Sequence, residues 1–381
     1  MKVLTVNAGS SSIRLDVFAA MGAGAQRVVS RHGARQDSAA AALLDDVLAQ
    51  AGGEPVMAVA HRVVHGGKQL VRPCLIDTAV EREIERAAPL APLHNPPALD
   101  WIRVCRSVLG GAVPQVAVFD TAFFADLPEV AGTYALPRAL VARHGLKRYG
   151  FHGIAHQSMW RCWDKLRPDT PGSGRVISLQ LGAGCSITAI RDGQPLDTSM
   201  GFSPLEGLVM ATRSGDVDPG LLLYLQRVEG LTPDRLERLL YQESGLLGVT
   251  GGSADMRALL DSPHPGARLA VALFCYRARK YVGSYLAVLG GADAILFGGG
   301  IGENAPEIRA RILEGMAWAG IELDSTRNRA AVGAPAALHS QSSRTEVHVI
   351  PVDEAAILAD AALAMIAMPP TISTEQGGKH A

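Results

Sequence analysis

MKVLTVNAGSSSIRLDVF, residues 1–18, opens with an apolar strand over Met1–Val6. It breaks into Asn7, Gly9 and the serines Ser10–Ser12, then alternates Ile13, Leu15 and Val17 against Arg14 and Asp16. An apolar run that stops in a small polar loop and returns with period-2 alternation predicts a β-hairpin. Arg14 projects back toward that loop, where a cation would neutralise a bound anion; a solvated strand arginine is the plain alternative.

The chain has 381 residues, long for one hydrophobic core, so two domains are expected. A net charge of −1, with no long run of one sign, argues against a nucleic-acid or anionic-membrane binder. Five widely spaced cysteines without a CxxC disfavour a disulfide scaffold or zinc ribbon and fit a reducing cytoplasm. The N-terminus lacks a signal-peptide pattern. The most apolar stretch, Ala355–Met368, is interrupted by Asp360 and is too short to span a bilayer.

Further strands are read at MAVAHRVVH (57–65) and QVAVFD (115–120), separated by helical spacing in AVEREIERAA (79–88) and PPALDWIRVCRSVLG (96–110). Strands mixed with helices predict an α/β domain. RVISLQLGAGCSITAIRDG (175–193) repeats the opening: strand, glycine loop, returning strand. We read this as an internal duplication, against the rival that such hairpins are common. A long helix ends at Gly290-Gly291, followed by strand, glycine turn and helix in DAILFGGGIGENAPEIRARILEG (293–315). Strand EVHVIP (346–351) and helix DEAAILADAALAMIAM (353–368) follow, and 369–381 reads as a disordered tail.

Three strand ends therefore carry small-residue loops, Asn7–Ser12, Gly182–Gly184 and Gly298–Gly302, which let backbone N–H groups approach a polyphosphate. No GxxxxGK[ST] P-loop occurs. Arg62 and His65 lie on a strand before Gly66-Gly67; His94 precedes a proline turn; Asp120 ends a strand, a common place for a catalytic acid. His152 and His156, at i and i+4, suit a helical metal pair. Gly150 and Gly153 interrupt the segment and no HExxH glutamate is present, so a structural histidine is preferred.

VNAGSSSIR, HRVVHGG, APLHNPPAL, VFDTAF, RYGFHG, DTSMGFSPLEGLVMATRSGDVDP, GGGIGEN and PVDEAAILA occur in the order found in acetate kinases, and from Val3 to about Ala367 the chain resembles that family. The resemblance implies an α/β fold of two duplicated actin-like (ribonuclease H-like) domains flanking a cleft: 1–147, with the helix at about 355–368 packed back on it, and 148–354, with the nucleotide site and dimer surface. It implies a cytoplasmic homodimer that moves the ATP γ-phosphoryl group to acetate with Mg²⁺ or Mn²⁺. By motif, Asp120, His152 and Arg213 would be catalytic, and Asn7 and Glu354 would lie at the metal. Arg62 would bind the acceptor carboxylate, with Val64, Leu93, Phe151 and Pro204 around its acyl chain. ATP/ADP would be held by Arg14; by Gln180, Leu181, Gly182, Ala183 and Gly184; by Asp255, Met256 and Arg257; and by Gly300, Ile301, Gly302, Glu303 and Asn304.

The match departs on the donor side. Gln180 and Ala183 stand where the family usually has histidine and asparagine, Arg14 where it has lysine, and Ala355 where a second glutamate is usual. Propionate or butyrate as acceptor, pyrophosphate as donor, or a non-catalytic nucleotide-binding paralogue are the alternatives.

Overall fold

Two six-stranded sheets share one plan in a computed structural model that describes residues 1–9, 12–21, 24–34, 40–52 and 54–367. The tail 369–381 and two serines of the opening loop, Ser10 and Ser11, lie outside the described residues. The first sheet is built from β1 (Lys2–Ala8), β2 (Ser12–Met21), β3 (Gly24–Ala34), β4 (Val56–Val63), β5 (Cys74–Leu75) and β6 (Gln115–Phe119), in the order β3-β2-β1-β4-β6-β5. The second uses β7 (Arg175–Leu181), β8 (Cys185–Arg191), β9 (Gln194–Thr198), β10 (Ala294–Gly298), β11 (Ala336–Ala337) and β12 (Glu346–Val349). Its order is β9-β8-β7-β10-β12-β11, the first order advanced by six strands. Parallel and antiparallel pairings also correspond, so the duplication expected from the two hairpins is present.

The central parallel strands are covered by helices on both faces, which is why QVAVF and AILFG are continuously apolar rather than alternating. Helices Ala40–Gln50 and Asn95–Leu109 cover one face of the first sheet, with Leu44, Val47, Trp101 and Cys105 against Leu4, Val6 and Leu15. Its other face receives the last helix, Glu354–Ala367, through Ile357, Leu358 and Ala362. Conversely, helix Gly153–Lys165 follows the first sheet in sequence but seats Met159 and Trp163 on the second. Each sheet is thus closed by the helix that leaves the other.

Two local expectations change. Gly153 does not interrupt the histidine segment; it begins a helix. A Cβ there would lie 2.0 Å from the Asp120 carbonyl oxygen, so only glycine lets the helix press against that backbone. The glycine turn after β10 is itself helical over Gly299–Asn304.

Candidate active site

Asn7, Arg62 and Asp120 stand at the carboxyl ends of β1, β4 and β6, the edge where open α/β sheets place their chemistry. Arg62 donates through Nε to Asp120 Oδ1 (3.0 Å) and through NH2 to Oδ2 (2.6 Å), a forked pair. Its NH1 donates to Asn7 Oδ1 (3.1 Å) and lies 3.3 Å from Glu354 Oε2, while Asn7 Nδ2 donates to the same carboxylate at 2.6 Å. Glu354 arrives from the segment after β12, so both sheets contribute to the cluster. Burial works against the Arg62 charge, but Asp120 and Glu354 outweigh it and raise its pKa. Burial raises the Asp120 pKa, against the pull of Arg62; Glu354 adds to the rise. Asn7, Asp120 and Glu354 present only hard oxygen donors. Two carboxylates and an amide, with substrate phosphates and water for the rest, are a donor set that fits magnesium.

His152 caps helix Gly153–Lys165 with a left-handed backbone (φ 57°), uncommon for a residue with a side chain and characteristic of functional positions. Its ring points at the β7–β8 loop. A Cβ on Gly184 would meet His152 Cε1 and Nε2 at 3.4 Å and Arg213 NH1 at 3.7 Å. Burial holds the His152 pKa well below the ordinary value, and Arg62, His156, Arg213 and His94 push the same way, so the ring is neutral. Burial also lowers Arg213, whose NH1 donates to the Pro204 carbonyl (3.2 Å).

Two cavities flank this point. One, of about 240 Å³, is lined by all four residues assigned to the acyl pocket, Val64, Leu93, Phe151 and Pro204, together with His94 and Arg213. The other, of about 530 Å³, brings together the three loops that the sequence assigned to nucleotide: Gly182 and Ala183; Asp255, Met256 and Arg257; Gly300, Ile301 and Asn304. Leu260, Met256 and Ile301 give it apolar walls. The β7–β8 loop stands between them, and its Ala183 carbonyl accepts from the Ala211 N–H of the loop that carries Arg213.

The remaining assigned residues stand back from these cavities. Leu181 and Gly302 are buried. Glu303 accepts from the N–H groups of Gly299 (2.9 Å) and Val352 (3.1 Å), bracing the loop from behind. The buried Gln180 Oε1 has no hydrogen-bond partner among the described residues and lies beneath Gly299. Arg14 faces Asn7 across β1–β2, but its guanidinium turns to Asp16 (Nε–Oδ2 3.0 Å), which Arg27 also holds. Nor do His152 and His156 form a metal pair: their i, i+4 spacing sets both rings against one serine hydroxyl, Ser186 Oγ.

Tyr241 in the acceptor cavity was missed. It belongs to a stripe of helix Pro233–Gln242, with Asp234, Glu237, Arg238 and Gln242, whose helical spacing was the available signal.

The model of the Acetokinase family matches residues 2–360. An acetate kinase of Solibacter usitatus (strain Ellin6076) is 44% identical over 94% of this chain and 97% of its own. The crystal structure of Porphyromonas gingivalis acetate kinase superposes with a TM-score of 0.87 at 34% identity, covering 96% of this chain and 99% of that one. A propionate kinase from Francisella tularensis subsp. tularensis SCHU S4 gives 0.85 at 33%, with the same coverage.

Proposed function

The chain belongs to the acetokinase family, and from that premise we propose that it transfers the γ-phosphoryl group of ATP reversibly to acetate, giving acetyl phosphate and ADP. The observation that carries the reading is the position of Gly184, with His152 and Arg213 at its bare α-carbon and a cavity on either side. A phosphoryl group passing between the cavities meets the His152 ring and the Arg213 guanidinium there, with no side chain from Gly184 in the way.

Carboxylate and triphosphate repel, so the residues must bring two anions together. Arg62, held by Asp120, Asn7 and Glu354, presents a cation to the acceptor carboxylate. Arg213 and His152 face the transferring group, where charge is spread over its equatorial oxygens. Acetate is ionised at neutral pH, so Asp120 orients Arg62 and metal-bound water rather than acting as a base. Magnesium or manganese held by Asn7 and Glu354, its water oriented by Asp120, would neutralise phosphate charge. Val64, Leu93, Phe151 and Pro204 enclose the acyl chain; Arg14, once released from Asp16, would reach the phosphates. The helical turn Gly299–Asn304 and the loops at 180–184 and 255–257 cradle ATP.

A second acceptor is favoured by the cavity itself. About 240 Å³ leaves room beyond a methyl group, and one methylene is discriminated by only about 1–3 kcal/mol, so propionate is accepted too. The apolar walls of the donor cavity favour ATP over pyrophosphate.

We further assign domains at 1–147 and 148–354, and a homodimer through the second. Helix Pro219–Val228 of that domain exposes Leu221, Leu223, Tyr224 and Val228 and buries none of its residues. Among the described residues no helix is long and apolar enough to cross a membrane, and Cys74, Cys105, Cys162, Cys185 and Cys275 are free, which supports a cytoplasmic setting.

Trapping acyl phosphate as the hydroxamate, with ATP and Mg²⁺ against acetate, propionate and butyrate, tests the reading. Acetyl hydroxamate is expected, with propionyl second. Folded protein that yields none with any of the three acids would overturn it, and equal turnover with pyrophosphate would overturn the assignment of the donor.

A further inference from the structure

His152 ends a row of hydrogen bonds that runs away from the cleft into the core. Its Nδ1 lies 2.9 Å from Ser186 Oγ, that oxygen lies 2.8 Å from His156 Nε2, and His156 Nδ1 lies 2.9 Å from Ser178 Oγ. Ser178, Ser186 and His156 are all wholly buried. The row is assembled by secondary structure. The His156 N–H donates to the His152 carbonyl as the first bond of the helix, and the two serines project from one face of the β7–β8 pair.

Such a row has a direction. A hydroxyl placed between two imidazole nitrogens must accept from one and donate to the other, or its own proton is buried without a partner. If protons point toward the cleft, Ser178 donates to His156 Nδ1, His156 Nε2–H donates to Ser186, and Ser186 donates to His152 Nδ1. The single proton of His152 then sits on Nε2. If they point the other way, the Ser178 hydrogen is left facing, among the described residues, only the Met159 sulfur at 3.8 Å, a weak acceptor. The first direction gives both bare imidazole nitrogens, His156 Nδ1 and His152 Nδ1, a hydroxyl donor.

We propose that Ser178, His156 and Ser186 are positioning residues that hold His152 as its Nε2–H tautomer, so that the ring donates a hydrogen bond into the cleft. This rests on the phosphoryl-transfer reading for its purpose but not for its measurement. The Nε2 edge faces the Gly184 α-carbon beside Arg213, and a donor there supports an incoming phosphoryl oxygen where a lone pair would repel it. Burial keeps both rings neutral, so the tautomer alone decides which edge donates.

The test is a long-range ¹H–¹⁵N correlation spectrum of the full chain labelled at histidine, with His152 assigned by its loss in His152→Gln. The expected pattern is a protonated Nε2 and a bare Nδ1. Ser186→Ala should lose this preference and lower kcat roughly 10- to 100-fold, with both KM values within about threefold; Ser186→Thr, which keeps the hydroxyl, should recover the tautomer. A wild-type His152 protonated at Nδ1 overturns the proposal without any variant, as does Ser186→Ala with tautomer and kcat both intact. An Nε2–H ring in a protein without kinase activity would instead uphold the tautomer and remove the phosphoryl-transfer reading.

Discussion

Arg62 meets Asp120 edge to edge, Nε to Oδ1 at 3.0 Å and NH2 to Oδ2 at 2.6 Å, with the Asp120 side chain 1% exposed. Removing one charge of so enclosed a pair leaves the other without compensation, a loss of about 3–5 kcal/mol. Asp120→Asn is therefore expected to destabilise by that order in urea unfolding and to lower kcat on the order of 10³-fold, as when a transition-state cation is misplaced. Arg62→Lys keeps the charge without the fork and should recover stability better than activity. Unfolding midpoints and kcat for both variants check this; an Asp120→Asn protein within 1 kcal/mol of wild type would be contrary to it.

Arg213 is placed by backbone rather than by a partner carboxylate in its own loop. Gly245, at φ +63°, lies so close that a Cβ would come within 2.2 Å of the Met210 carbonyl oxygen and 2.7 Å of that of Arg213. Gly245→Ala must push the loop away, with an expected loss of about 1–3 kcal/mol and a kcat reduced roughly 10²-fold by a displacement near 1 Å. Gly252→Ala, where nothing lies within 4 Å, is the control and should stay within about 0.5 kcal/mol. Thermal unfolding together with steady-state kinetics separates the two variants.

Acid should unfold the protein through its histidines. Burial lowers His61 and His65 to about 4 and His156 to about 3, from 6.5. The His65 Nδ1 also accepts from the Gly67 N–H, which it can do only unprotonated. Below 6.5 the unfolded chain binds protons that the folded one refuses, so stability is complete above that pH. It falls as pH drops toward 4, by up to about 3 kcal/mol per ring. Glu346, lowered to about 2 by His348 and Trp163, withdraws its contribution only below its unfolded value of 4.5. Urea unfolding between pH 6.5 and 4 should show uptake of about four protons, one each for His61, His65, His152 and His156, and His61→Leu should reduce that slope by one.

The hairpins and the glycine-loop strand ends were legible because period and punctuation are local. From them follow the α/β class and the repeated plan of the sheets. Residues that line cavities through a loop backbone, such as Gly182, Ala183 and Gly300, were legible for the same reason. Side-chain direction was not. Arg14 is drawn to Asp16, and Asp16 is fixed by Arg27 on β3, whose sequence GAQRVVSRHGA alternates too poorly to announce a strand. Glu303 sits in a phosphate-loop motif, yet its carboxylate serves two backbone N–H groups, one of them 49 residues away. Helical spacing marks the stripe that carries Tyr241, but tertiary packing alone decides that the stripe lines the acceptor cavity.

The helical turn that borders the donor cavity is tied from below by Arg309, which is wholly buried and donates mainly to carbonyl oxygens. NH1 reaches Gly302 (2.7 Å) and Glu303 (3.2 Å), NH2 reaches Asn328 (2.9 Å) and Ala331 (2.7 Å), and Nε reaches the Asn328 side chain (2.9 Å). Burial brings its pKa down to about 10, still protonated at neutral pH. A lysine has the charge but neither the planar fork nor five donors, so Arg309→Lys strands several buried carbonyls at about 1–3 kcal/mol each where water cannot enter. The acceptor cavity shares no residue with this brace. Arg309→Lys is therefore expected to raise KM for ATP about tenfold or more while KM for acetate holds within twofold, because a loosened Gly300–Asn304 turn costs nucleotide binding directly. Saturating ATP should recover most of kcat. Kinetics in which both KM values rise together would mean that Arg309 supports the whole second sheet rather than the nucleotide loop.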